Sequence, residues 1–438
     1  MAWDFSTEPE FEEKLEWIRR FRAERVEPLD LLYPDRAYHP LDDELGPVVR
    51  TLKQQVRDEG LWAPHLGPEL GGRGFGQVKL ALINEILGQS SWAPVIFGTA
   101  APDTGNAEII ARYGTDEQKE RYLQPLLEGE CFSCFSMTEP QAGADPTMFT
   151  TRAERDGGGT SRSSGAESGG DWVITGRKFF SSNARTSKFV IVMAVTNPDV
   201  SPYKGMSMFL VPSDTPGVRI ERHLGIMGEA TDEGMHALIA YDGVRVPADA
   251  LLGGEGQAFA IAQTRLGGGR VHHAMRVVGQ SQKALDMMAE RALSRETQGE
   301  RLADKQLVRA DLADSYAQLA QFRLFVLYTA WQIDRYRDYK RVRKDIAAIK
   351  FLTPKVLHDI VYRSMHLHGA LGVSNEMPFS EMWNGAAVMA VVDGPTEVHK
   401  ITVARDVLRG YEAAPGLWPT QHLPTRREWA RKQLEDLL

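Results

Sequence analysis

The chain has 438 residues, 51 basic against 59 acidic side chains (formal charge −8), and is 42% apolar and 25% charged. That balance suits a globular protein of two or three domains, and it leaves no basic excess for neutralising nucleic-acid phosphates. No apolar run reaches the ~18 residues of a membrane span, and the acidic start MAWDFSTEPEFEEKLEWIRR lacks a basic leader, so a cytoplasmic setting is expected.

Residues 1–133 read as an α-helical domain. Phe11, Leu15, Ile18 and Phe21 recur at helical spacing, and Thr7 with Glu10 predicts a capping box. LDDELGPVVRTLKQQVRDEG and FGQVKLALINEILGQSS repeat the periodicity. Between them, GPELGGRGFGQ has the glycines of a phosphate loop but no strand before it, so it reads as a connecting turn. Cys131 and Cys134 form a C-x-x-C pair among apolar neighbours. They cannot complete a zinc site alone and read as buried, inert thiols, with no metal expected.

Residues 134–253 change to short β-branched runs, KFVIVMAVTN, GMSMFLVP, GVRIERHL and MHALIAYDGVRVP, separated by Gly, Pro, Asn and Asp. This predicts an antiparallel β-domain, with RDGGGTSRSSGAESGGDW (155–172) as a hairpin loop. From 254 to 412 the helical signal returns in three long amphipathic segments, with a fourth after Gly394-Pro395, predicting a four-helix bundle. Pro354 either kinks the third helix or marks its start. An extension, 413–438, ends in a short helix over Glu428–Leu438. The fold class is α+β, in the order helices, β-domain, helices.

Four stretches in this order carry a resemblance. SMTEPQAGADP (136–146), DWVITGRKFFSSNA (171–184), YDGVRVPADALLG (241–253) and DGPTEVHKITVARDVLRG (393–410) resemble signature segments of the acyl-CoA dehydrogenases, and the likeness spans roughly residues 10–412. RLGGGRVHHAMRVVG (265–279) resembles the branch of the tenth and eleventh family members and their bacterial relatives. The resemblance implies FAD as cofactor and an acyl-CoA thioester as substrate, with electron-transferring flavoprotein as acceptor. It also implies a homodimer or homotetramer.

The same resemblance implies the site. Phe135, Met137, Thr138, Ala144, Phe180 and Ser182 would line the flavin, Phe180 as an aromatic platform and Thr138 and Ser182 as donors. Phe180 stands where many relatives have Trp, and Ala144 where many have Ser. Arg295 and Gln298, in SRETQGERL, and His366, Gly369 and Ala370, in HLHGALGVSNE, would reach a neighbouring subunit's FAD. Pro395 and Glu397 would approach the flavin edge or, for Glu397, cap the following helix. Ala144, Arg270 and Gly394 would meet substrate, while His272 and His273 are equally well surface, interface or substrate contacts.

The implied reaction is α,β-dehydrogenation, in which a base removes the α-proton as a β-hydride leaves for the flavin. Asp393 matches the base position, where most of the family has Glu. The alternative position on the RLGGGR helix is Gly269, which has no side chain. Asp before Gly-Pro is equally a helix-cap pattern, so both roles are expected of Asp393. The competing readings are a relative acting on a 4-hydroxy or 4-phospho acyl-CoA, a flavin oxygenase, and a flavin-free helical scaffold.

Overall fold

The structure, a computed structural model, describes residues 4–435 apart from 35, 40, 69–71, 157–170 and 230–233. The predicted hairpin loop therefore lies mostly outside the described residues, as does the middle of the glycine-rich connecting turn. The first domain holds α1 (Pro9–Phe21), α2 (Glu27–Leu32), α3 (Leu45–Asp58) and α4 (Gly76–Leu87). Four more helices follow: α5 (Ala93–Ile96), α6 (Asp103–Tyr113), α7 (Asp116–Gln118) and α8 (Gln124–Leu127). Helix α1 buries Phe11, Leu15, Ile18 and Phe21 as the spacing predicts. The expected capping box is not formed. Glu8 is the N-cap without a side-chain bond, and Thr7 Oγ1 donates to Glu12 instead. Pro9 at the first helical position presets φ and brings no N–H to satisfy.

The β-domain comprises β1 (Phe132–Ser136), β2 (Arg152–Arg155), β3 (Trp172–Ser182), β4 (Ser187–Val195), β5 (Met206–Pro212), β6 (Val218–Leu224) and β7 (His236–Val246). They form one sheet in the order β1-β4-β2-β3-β7-β6, with β5 on β4. The long ladders β3–β7, β4–β5 and β6–β7 are antiparallel as expected, but β1 and β2 each run parallel to β4. No hairpin joins either of them to β4, which frees their direction. Cys134 is buried in β1 and Cys131 is partly exposed just before it; both are free thiols. Burial raises both thiols, Cys131 to about 11, which leaves them unreactive.

The last domain holds α9 (Ala258–Ser294), the hairpin β8 (Glu296–Thr297) and β9 (Glu300–Arg301), α10 (Gln306–Tyr336), α11 (Tyr339–Leu367), α12 (Phe379–Met389) and α13 (Thr396–Leu408). Three long helices and two short ones thus replace four long ones. Helix α9 begins before the three glycines of RLGGGR, where the sequence offers little propensity and tertiary packing decides. Asp338 caps α11, and Pro354 lies inside it without ending it. The tail helix α14 (Leu423–Glu435) starts earlier than expected and buries nothing. Helix α4 packs closely on α9: a Cβ at Gly279 would fall 1.9 Å from the Glu85 carbonyl, so only glycine permits the crossing.

A buried ion pair ties β3 to the turn after β1. Lys178 Nζ lies 2.8 Å from Glu139 Oε1, with side chains 0% and 1% exposed. Lys178 also donates to the Met137 carbonyl (2.8 Å), while Glu139 accepts from the backbone N–H groups of Thr150 (2.7 Å) and Thr151 (3.0 Å). Burial works against both charges and pushes Lys178 down to about 8. For Glu139, the Lys178 charge and these donors outweigh burial and hold it at about 2. The pair is therefore ionised at neutral pH. Lys178→Met should destabilise the protein by about 3–5 kcal/mol, because it leaves a buried carboxylate unpaired. Adding Glu139→Gln should recover part of that loss in denaturant unfolding, whereas additive losses would show that the pair is not coupled.

Candidate active site

The loop between α12 and α13 is held from three sides. Lys350 on α11 is fully buried and its Nζ donates to the Met389 carbonyl at 2.5 Å, placing a cation at the C-terminus of α12. Burial depresses this lysine to about 8, opposed by the charge of Asp393. Arg270 Nε on α9 donates to the Asp393 carbonyl (2.9 Å), and His399 Nε2 on α13 lies 3.2 Å from the same oxygen. Asp393 adopts φ 53° and Gly394 φ 104°, a left-handed corner that a non-glycine residue keeps only where its surroundings enforce it.

This corner settles the direction of the Asp393 side chain. The N-cap of α13 is Pro395, with no side-chain cap bond, so the expected capping role of Asp393 is not seen. Its carboxylate turns onto α9 instead, where a Cβ at Gly269 would lie 2.7 Å from Oδ2. The side chain is 14% exposed, and His273 Nε2 approaches Oδ2 at 3.5 Å. Gly269 therefore does more than lack a side chain: its bare backbone is the space into which the aspartate carboxylate fits. Glu108 from α6 reaches the neighbouring glycine, 3.1 Å from a Cβ at Gly268, and burial raises it to about 7 against the charges of Arg112 and Arg265.

One turn before Gly269, Arg265 joins this corner to the β-domain. Its guanidinium lies 4.0 Å from the centroid of the Phe135 ring, and its Nε donates to Asn106 Oδ1 at 2.8 Å. Phe135 pairs in register with Ser182 across β1 and β3. Beyond that pair, the Thr138 carbonyl accepts from Phe179 N–H (2.8 Å), and Met137 is tied to Lys178. Phe180 has φ 53° and is 48% exposed, its ring 4.4 Å from Phe179 and 6.0 Å from His236. Ser182 Oγ lies 3.0 Å from His236 Nδ1, so part of its hydrogen-bonding capacity is engaged. Phe135, Met137, Thr138, Phe180 and Ser182 thus gather where the ends of β1 and β3 meet. Ala144 is exposed on the turn between β1 and β2.

The other candidates stand apart. Arg295 ends α9 and Gln298 (φ 56°) turns the β8–β9 hairpin, both exposed. His366 is exposed near the end of α11 with its ring 5.9 Å from Tyr362, and exposed Gly369 (φ 65°) and Ala370 follow it. Among the described residues, no hydrogen bond, ion pair or ring contact connects these five to Asp393 or Phe180. Pro395 and Glu397 flank the corner, Glu397 exposed in the first turn of α13 where a negative charge is favourable.

Sequence reasoning missed Glu139, Lys178, Arg265, Glu108 and Lys350. Three of these, Glu139, Lys178 and Arg265, lie inside quoted motifs, and Lys350 sits in the apolar run IAAIKFL, where a lone lysine signals a buried cation. An aromatic platform with hydroxyl and backbone donors suits an isoalloxazine ring, and Arg265 links Phe135 to the turn of α9 that Asp393 faces.

The acyl-CoA dehydrogenase N-terminal, middle and C-terminal domain families match residues 8–130, 134–239 and 256–408. The probable acyl-CoA dehydrogenase FadE2 of Mycobacterium tuberculosis is 40% identical over 391 residues, 88% of this chain and 92% of that protein. Acyl-CoA dehydrogenase family member 11 of Gallus gallus is also 40% identical, across 82% of this chain but only 45% of its own length. A solved structure from Mycobacterium abscessus, titled a "putative acyl-CoA dehydrogenase", is 36% identical with a TM-score of 0.84, covering 93% of this chain and 100% of that one. Glutaryl-CoA dehydrogenase from Mycobacterium smegmatis in complex with FADH2 shares the fold at 22% identity and a TM-score of 0.75, over 94% and 97% of the two chains. The chain belongs to the acyl-CoA dehydrogenase family, an oxidoreductase family.

Gly269 allows a test of the corner that needs no substrate. Gly→Ala inside a helix ordinarily stabilises by about 0.5–1 kcal/mol, and Gly385 in α12, with open space around its Cβ position, should behave that way. Gly269→Ala should forfeit that gain, because its methyl would stand 2.7 Å from Asp393 Oδ2 and the carboxylate must turn away to admit it. Denaturant unfolding of both variants checks this, and an equal gain in both would contradict the packing described.

Proposed function

We propose that this chain is an FAD-dependent acyl-CoA dehydrogenase in which Asp393 is the catalytic base. The observation that carries the reading is the Asp393 carboxylate itself. It is turned away from the helix start it could cap and laid against the bare backbone of Gly269, in a corner braced by Arg270 and His399. Membership of the family, and the FADH2 bound by a fold neighbour, support the cofactor.

When bound, FAD supplies the acceptor for the β-hydride. Phe180 would lie against its ring, with Thr138 and Ser182 at its polar edge, Met137 and Phe135 behind, and Ala144, Pro395 and Glu397 at the periphery. Asp393 takes the α-proton of the acyl-CoA. Its carbonyl is already held by Arg270 and His399, whereas its N–H has no acceptor among the described residues. That N–H is free to donate to the thioester oxygen, where negative charge develops as the proton leaves. Gly394, the next residue, leaves the approach to this oxygen unobstructed by a side chain. Aspartate is one methylene shorter than glutamate, and the absence of a side chain at 269 lets it seat deeply enough to work.

On this reading the electrons pass to an electron-transferring flavoprotein. The protein is a cytoplasmic dimer or tetramer serving acyl-CoA catabolism of the β-oxidation type. Exposed Arg295 and Gln298, with His366, Gly369 and Ala370, would then complete the FAD site of an adjoining subunit. Among the described residues no helix is long and apolar enough to cross a membrane.

Asp393→Asn should bind FAD as the wild type does but lose at least about a hundredfold in the rate of anaerobic flavin bleaching by acyl-CoA. An unchanged rate would remove Asp393 from the role. A purified wild-type protein that stays colourless after reconstitution with FAD would instead overturn the flavoenzyme reading.

A further inference from the structure

We propose that His273 is a positioning residue for Asp393, donating from Nε2 to the carboxylate and setting the orientation in which it meets substrate. The inference rests on the reading of Asp393 as the base and adds a residue to it.

Three observations carry the inference. His273 follows Gly269 by four residues on α9, so its ring lies one turn along on the same face, beside the gap that receives the carboxylate. Nε2 stands 3.5 Å from Oδ2, with side chains 18% and 14% exposed, and among the described residues no other basic side chain lies within 4.0 Å of that carboxylate. Among the described residues, the hydrogen bonds to Asp393 hold its backbone: Arg270 and His399 both take the carbonyl oxygen, which leaves the side-chain torsion without another polar restraint. The 3.5 Å separation is longer than a formed hydrogen bond, and such contacts commonly tighten when substrate closes the site.

The charges around the pair favour a neutral imidazole. His273 faces Arg265, Arg276 and neighbouring His272 from its own helix, and Lys350 from α11; the charge of Asp393 opposes them. Asp393 in turn faces Arg265, Arg270, Lys350 and His399. Burial in this company holds His273 at about 4, so near neutral pH it has a single ring proton to give. His272, by contrast, is buried toward His65, 6.2 Å between ring centroids, and has no contact with Asp393.

The test compares His273→Phe, which keeps a ring without a donor, with His273→Gln, which keeps a donor. In holoenzyme, His273→Phe should slow anaerobic flavin reduction by saturating acyl-CoA about tenfold or more. The affinity for acyl-CoA should change little, and His273→Gln should restore the rate. A second readout needs no turnover: the thermal midpoints of His273→Phe, Asp393→Asn and the double variant at neutral pH. A double-variant shift smaller than the sum of the single shifts supports the contact. Additive midpoints, or Phe and Gln variants that are equally slow, overturn it. If no acyl-CoA bleaches the wild-type flavin, the proposed function fails, and the midpoints alone decide the contact.

Discussion

The arrangement depends on one steric fact: the backbone of Gly269 lies so close to Asp393 that a single methyl there would meet its carboxylate. A helix with three consecutive glycines is poor in intrinsic propensity. Here each of the three faces a side chain from elsewhere: Tyr339 at Gly267, Glu108 at Gly268 and Asp393 at Gly269. The helical cost is accepted along one turn of α9, and in exchange two acids and a phenol approach its axis. The left-handed backbone at Asp393 is the other half of the fit, since it turns the side chain toward that turn.

Two cations and a histidine hold the corner together. Lys350 fixes the end of α12, and Arg270 with His399 fixes the carbonyl of Asp393. Arg265 carries the same helix face across to Phe135 and so to the sheet. In the sheet, the buried Glu139–Lys178 pair fixes the two motif strands that present Thr138 and Phe180. Rigid placement of this sort is what proton and hydride transfer require, because effective molarity falls steeply when the reacting groups are displaced by about an ångström.

The legible part of the chain was its local chemistry. The α1 core positions and the β-branched runs declare themselves by period, and the segments around Thr138, Phe180 and Asp393 by their resemblance to the family. Contacts between distant segments did not. Lys178 follows Glu139 by 39 positions, and nothing local announces that the two are paired. The start of α9 was hidden because glycines depress helix propensity where packing overrides it. For Asp393, a local cap pattern pointed to the wrong partner, and only the fold revealed Gly269 as the receiving surface. The parallel pairings of β4 are likewise a matter of topology rather than of strand composition.

The central claim is that Asp393 removes an α-proton from an acyl-CoA. The most direct measurement uses a 3-thia-acyl-CoA, which keeps the acidic α-protons but has sulfur in place of the β-carbon and so cannot give up a hydride. In D2O with FAD-loaded protein, proton NMR should show the α-CH2 signal disappearing by exchange with the wild type and persisting with Asp393→Asn. Equal exchange by the two proteins would contradict the assignment, because another group would then be taking the proton.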